Sequence, residues 1–213
     1  MNTIAFAFAE SPRSGDHQVR PLVDGADLLN LIAGDWLGLD PPAFFQQPQL
    51  ISGGRLFIGR CECGYVGCGS VAARVVRDES SVTWHLDDER KYEFDSAEYL
   101  RTIESAAENT DWETVERTAE RLVSSLNFTT IEQQGYTFEW ASARISPERI
   151  TLSFWTVNAP HQQFVEVEWD GKRPENAAER VKRWVQENAL HFGGHAPSAG
   201  SPRRRGAARP SSG

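Results

Sequence analysis

The sequence predicts an α+β fold, antiparallel β-meanders with packed helices, and three observations carry that prediction. Apolar and polar residues alternate in two separate sets of short runs, over 56–86 and 136–169, the period of a half-buried strand. Between them, residues 111–126 carry an apolar stripe at helical spacing, the mark of an amphipathic helix. Strands come in runs and helices in runs, without the strict alternation of a parallel α/β sheet.

Taken in order, Ile4, Phe6 and Phe8 alternate with small residues as a first strand. Residues 19–23 read as a short edge strand, because Pro21 has no N–H for a central ladder. Asp24-Gly25 is a turn, and 26–37 places Leu28, Leu29, Leu31, Ile32 and Trp36 at helical spacings before Gly38. Asp40-Pro41-Pro42 forces an extended connection, and 43–54 looks irregular. Runs 56–60, 70–77 and 82–86 form a three-stranded meander.

Asp95 followed by Glu98 is a capping box opening a helix with Tyr99, Leu100, Ile103 and Ala107. Thr110 and Glu113 repeat the device. The next helix is expected to bury Trp112, Val115, Ala119, Leu122, Val123 and Leu126. Its solvated face would hold Glu113, Glu116, Arg117, Glu120 and Arg121, with Glu113 paired to Arg117. A second meander follows, with Tyr136, Phe138 and Trp140, then Ile150, Leu152 and Phe154, then 163–169. Pro174 opens a last helix with Ala178, Val181, Trp184 and Val185 on its buried stripe.

No Gly/Ser linker interrupts residues 17–190, so residues 1–192 are expected to form a single domain. Residues 193–213 are almost all Gly, Pro, Ser, Ala and Arg, a composition that cannot offset the entropy of ordering and predicts a disordered tail.

The formal charge is −8, and residues 193–213 hold four arginines and no acid, so residues 1–192 carry −12. Such a body repels phosphate backbones, which argues against nucleic acid and for a basic protein partner or plain solubility. The apolar start lacks a basic flank and is cut short by Glu10 and Pro12, unlike a signal peptide. No run reaches the length of a membrane span. The expected location is the cytoplasm, with no membrane partner.

All three cysteines fall in Cys61-Glu62-Cys63-Gly64-Tyr65-Val66-Gly67-Cys68. An odd, clustered set is not a secreted disulfide framework. Three thiolates suit a structural zinc, which asks for a fourth ligand, and His85 in the third strand of the meander is the nearest in sequence. Strand parity opposes it, because Trp84 faces inward. His17, His161, His191 and His195 have no geometric support. Packed thiols without metal and a reversible disulfide of Cys63 with Cys68 or Cys61 are the alternatives.

Other chemistry finds less support. The glycines at 64, 67 and 69 precede a strand, whereas a dinucleotide fingerprint needs a helix there. Cys68 with His85 is the one nucleophile–base pair to be considered. Asp87, Asp88 and Glu89 read as a turn in water, and Glu166 and Glu168 as a solvated strand face. Trp140 and Trp169 read as core, while Trp155 either closes a second buried face or stands exposed.

The run Ile58-Gly59-Arg60-Cys61-Glu62-Cys63-Gly64-Tyr65-Val66-Gly67-Cys68-Gly69, followed by Val82 and Trp84, resembles a family of bacterial proteins. Tyr92, Phe94 and Asp95, Asp111-Trp112-Glu113-Thr114, and Tyr136, Phe138, Trp140 and Ala141 are similar to the same family. The resemblance spans residues 20–170 and implies no activity. The expectation is a non-enzymatic binding or interaction module, immunity-type or regulatory, whose cysteine loop is structural. The alternative is a zinc- or thiol-dependent enzyme or redox switch using Cys61, Cys63 and Cys68.

Overall fold

In the computed structural model, residues 1–12, 17–63, 68–156 and 161–188 are described. The chain has helices and antiparallel sheets, as an α+β fold requires, and its contacts divide into two compact units, Met1–Trp112 and Glu113–Gly213. The span expected to be one domain thus holds two hydrophobic cores. The tail 193–213 lies outside the described residues.

In the first unit, β1 (Ile4–Glu10) pairs antiparallel with β2 (His17–Val23), and β2 pairs with the short β3 (Ala26–Asp27). Asp24 and Gly25, both at positive φ, make the tight turn between β2 and β3. Pro21 is tolerated although β2 lies between two strands. The Val19 N–H points away from β1, to Leu39 O at 2.8 Å, and Pro21, two residues on, turns its donorless nitrogen to the same side. There it falls between the Val19–Leu39 bridge and the Leu22–Asp27 pair.

The single helix expected over 26–37 is not formed. Instead α1 (Leu28–Leu31), capped by Asp27 on the Leu29 N–H, ends at Ile32, and β4 (Trp36–Leu37) follows. Gly34 has φ +114, a backbone conformation that only glycine adopts freely. The segment expected to be irregular forms two short helices, α2 (Pro41–Phe45) and α3 (Gln49–Ser52).

Next come β5 (Gly54–Cys61), β6 (Ser70–Arg77), β7 (Ser81–Leu86) and β8 (Lys91–Asp95), which with β4 give a five-stranded sheet in the order β4-β5-β6-β7-β8. The expected three-stranded meander is its centre. Trp84, Phe94 and Tyr99 pack edge-on and stacked, 5.7–6.2 Å between ring centroids. Each such pair contributes about 0.5–1.5 kcal/mol beyond area burial. Tyr99 is on α4 (Ser96–Glu108), and Asp95 caps that helix by accepting the Ala97 and Glu98 N–H groups.

In the second unit, α5 (Val115–Ser124) starts later than expected. Thr114 is its cap, accepting the Arg117 N–H. Trp112 lies before it, in the first unit, its ring stacked on Phe8. The helix buries Ala119 and Val123 as expected, but also Arg117 and Glu120, and Val115 is exposed. Glu113 bonds Arg121 and Thr118.

After α6 (Thr129–Glu132), the strands β9 (Tyr136–Ser146), β10 (Arg149–Thr156) and β11 (Gln162–Glu168) form a sheet in the order β11-β10-β9. Then α7 (Pro174–Asn188) begins at the expected proline and buries Ala177, Val181 and Val185. Ile150, Leu152 and Phe154 line the core with Trp169. Trp140 departs from expectation: it is exposed, because the register slips at Glu139 and Phe138 and Trp140 no longer share a face. Trp155 is exposed too.

Candidate metal centre

Strand β5 ends in Cys61, and β6 leaves from Ser70, so the cysteine bend joins two neighbours of the five-stranded sheet. The Cys61 N–H donates to Gly69 O at 3.1 Å, which closes the base of the bend. Trp36, opposite Cys61 on β4, backs it. A Cβ at residue 69 would lie 3.6 Å from both the Trp36 ring and the Cys61 Cβ. The ring is itself fixed by its N–H to Ala33 O at 2.8 Å. Residues 64–67, the tip of the bend, lie outside the described residues.

The sulfurs of Cys61, Cys63 and Cys68 all lie within 4.8 Å of one another, and those of Cys61 and Cys63 within 2.7 Å. Cys61 is half-buried, and Cys63 and Cys68 are exposed. Zinc–sulfur bonds of about 2.3 Å in a tetrahedron place two sulfurs roughly 3.8 Å apart, so the trio is of a size to share one ion. Small side-chain rotations would part Cys61 from Cys63 by the remaining ångström. The neighbouring Cys63 and Cys61 thiols, by hydrogen bonding and by repulsion of a new negative charge, push the Cys68 thiol up to about 11. Cys68 therefore keeps its proton at neutral pH until a cation takes its place.

The register separates His85 from this group. His85 stands opposite Arg74, and Arg74 opposite Arg55, six residues back along β5 from Cys61. At about 3.3 Å per residue that is roughly 20 Å of strand. The structure thus brings together Cys61, Cys63 and Cys68 and leaves His85 aside, both as a fourth ligand and as a base for Cys68. His17 packs on the Trp112 ring, and His161 lies 3.3 Å from the Thr156 hydroxyl.

Asp87, Asp88 and Glu89 form the turn between β7 and β8, with Glu89 at φ +69. Arg90 hydrogen-bonds Asp88 and holds its carboxyl below the usual range. Asp87 and Asp88 also line a cavity of about 190 Å³ with Trp36 and Ser70, at the same end of the sheet as the cysteines. Glu166 and Glu168 are exposed and both face Arg149.

Sequence reasoning missed one site altogether, the buried Glu120. Its Oε1 accepts from Ser142 Oγ, Ala143 N and Arg144 Nε, each at 2.9 Å, and its Oε2 from Arg117 at 3.4 Å. Burial lowers the pKa of Arg144. The four donors explain why a carboxylate tolerates this position, as a buried charge must be paired and hydrogen-bonded.

Compared with models of protein families, with curated proteins and with solved structures, the chain finds no match. Fold and site together define an α+β protein with a cluster of three cysteines able to hold a metal ion.

Proposed function

We propose that the protein is a non-enzymatic interaction module for a basic protein partner, with zinc held by Cys61, Cys63 and Cys68 as a structural clasp on its five-stranded sheet. The convergence of three thiols at one strand end supports the clasp. No imidazole, the usual base beside a thiol nucleophile, joins that group among the described residues. The first unit has eighteen acidic and nine basic side chains, a formal −9, which suits a basic partner.

Titration of the reduced protein with zinc tests the clasp. We expect about one bound equivalent, a change in Trp36 fluorescence, and loss of both in Cys68→Ser. Coordination displaces the Cys68 proton, so affinity falls as the medium is acidified. Full-length protein that takes up no zinc at neutral pH would refute the clasp.

A second reading, a thiol switch, is favoured by the 2.7 Å approach of the Cys61 and Cys63 sulfurs. A mild oxidant would then accept two electrons as the two S–H bonds break, two protons leave and one S–S bond forms, and zinc loading would block it.

A further inference from the structure

We infer that the outer face of the sheet β11-β10-β9 receives an arginine side chain of the partner protein, held between exposed aromatic rings over the Glu139 carboxylate; this gives the interaction module proposed above a recognition surface and rests on that reading.

Ile150, Leu152 and Phe154 point from β10 into the core, so Thr151, Ser153 and Trp155 point to the opposite face. Ser153 stands opposite Trp140 on β9 and opposite Phe164 on β11. Those two rings lean together across it, 5.8 Å between centroids, and Ser153 beneath them is fully buried. Trp155 follows two residues along the same face, roughly 7 Å of strand. Three neighbouring strands thus contribute one large aromatic each to one surface, with Trp140, Trp155 and Phe164 36%, 41% and 55% exposed. Scattered exposed apolar residues are ordinary, whereas a contiguous patch marks an interaction site.

The floor between these rings is polar and already ordered. The register slip that turns Trp140 outward leaves Glu139 as an extra residue of β9. Its carboxylate reaches across the sheet, Oε2 accepting from Ser153 Oγ at 2.7 Å and from Gln162 Nε2 at 2.9 Å. Ser153 belongs to the row of Trp140 and Phe164, and Gln162 stands opposite Trp155. The carboxylate therefore lies between the two aromatic rows. Both of its donors are neutral, and among the described residues no cation pairs with it.

Charge and shape choose the occupant. Glu166 and Glu168, on the same face, share the guanidinium of Arg149, and Glu139 is left without one. Aromatic faces attract a cation within about 6 Å of the ring centroid, tryptophan most strongly. A guanidinium meets both demands at once, because it is flat enough to stack on an indole and offers a fork of N–H donors to a carboxylate. An ammonium is a more strongly hydrated point charge and does not stack. A neutral ligand would leave the carboxylate unanswered.

Proton–nitrogen NMR of the full chain tests this through the indole N–H signals of Trp140 and Trp155, assigned with Trp140→Phe and Trp155→Phe. The probes are a glycine–serine heptapeptide with one central arginine, its twin with the neutral isostere citrulline, and hexa-arginine. We expect saturable shifts of both indoles with the single-arginine peptide. Affinity should fall by roughly tenfold or more with citrulline, and again in Glu139→Gln, which keeps the shape and removes the charge. Citrulline bound as tightly as arginine would overturn cation recognition. Hexa-arginine that binds while the single arginine leaves both indoles unmoved would overturn this site and leave the module for a basic partner standing. Failure of both arginine peptides would overturn both readings. Indole shifts that grow with protein concentration alone would make a second copy the occupant and overturn the assignment to a partner.

Discussion

Glu120 reaches from α5 to accept the backbone N–H of Ala143 at 2.9 Å, twenty-three residues away. Opposite Ile150, strand β9 departs from regular pairing: the register jumps between Arg149 and Thr151, so that residues 143–145 have no single partners. A carboxylate at this point takes over what a neighbouring strand would supply. It is a polar pin through a bulge, in a unit whose apolar core includes Ala119, Val123, Ile150 and Leu152.

Removing that pin should be costly. Glu120→Ala strips the acceptor from Ser142, Ala143 and Arg144 at once, and breaking a buried charge pair by one partner costs about 3–5 kcal/mol. Glu120→Gln keeps a carbonyl oxygen in place and should lose less. Hydrogen exchange at the Ala143 amide is the direct measurement: slow in the native protein, and fast in Glu120→Ala under conditions where the helix amides of α7 stay protected.

The first unit holds a buried tyrosine with a pH consequence. Tyr99 accepts the Trp84 indole N–H at 3.1 Å, and both side chains are fully buried. Burial pushes the Tyr99 hydroxyl up to about 12, the Trp84 hydrogen bond and the Arg77 charge pulling the other way. An unfolded tyrosine loses its proton near pH 10. Between pH 10 and 12 the folded chain thus holds a proton that the unfolded chain has lost, and stability falls as pH rises through that window. Urea midpoints measured from pH 9 to 12 should show this decline, and Tyr99→Phe should flatten part of it. At neutral pH the same substitution costs about 1–3 kcal/mol, because it leaves the Trp84 N–H without an acceptor.

Much of this was legible in the chain. Asp95 as a cap, strands at 70–77 and around Trp84, Pro174 at a helix start and the three converging cysteines all follow from local rules. The misses have a common physical origin: a distant partner changed what a residue could do. Arg117 and Glu120 look like a solvated face until β9 brings donors to Glu120, which in turn pairs with Arg117. Trp140 looks like core until a slip at Glu139 turns it outward. Strand β8 alternates Lys91, Glu93 and Asp95 with Tyr92 and Phe94, and its charges hid a half-buried edge. His85 was close in sequence but sits roughly 20 Å up the strand direction, a distance only the register reveals.

Two glycines in the first unit are expected to behave oppositely, and the contrast isolates backbone contact from glycine content. A Cβ on Gly38 would stand 2.0 Å from the carbonyl oxygen of Val19, an atom of the backbone that cannot rotate aside. Gly38 also donates its N–H to Gln18 at 2.6 Å, next to the Val19–Leu39 bridge, so any retreat breaks two hydrogen bonds. At Gly69 the added atom would meet Cys61 and the Trp36 ring at 3.6 Å, ordinary van der Waals contact. Gly38→Ala should therefore lower stability by about 3 kcal/mol, at the upper end of overpacking, and Gly69→Ala by far less. Urea denaturation followed by tryptophan fluorescence separates them, and equal midpoints for the two variants would mean that β2 and the Gly38 backbone do not approach as closely as described.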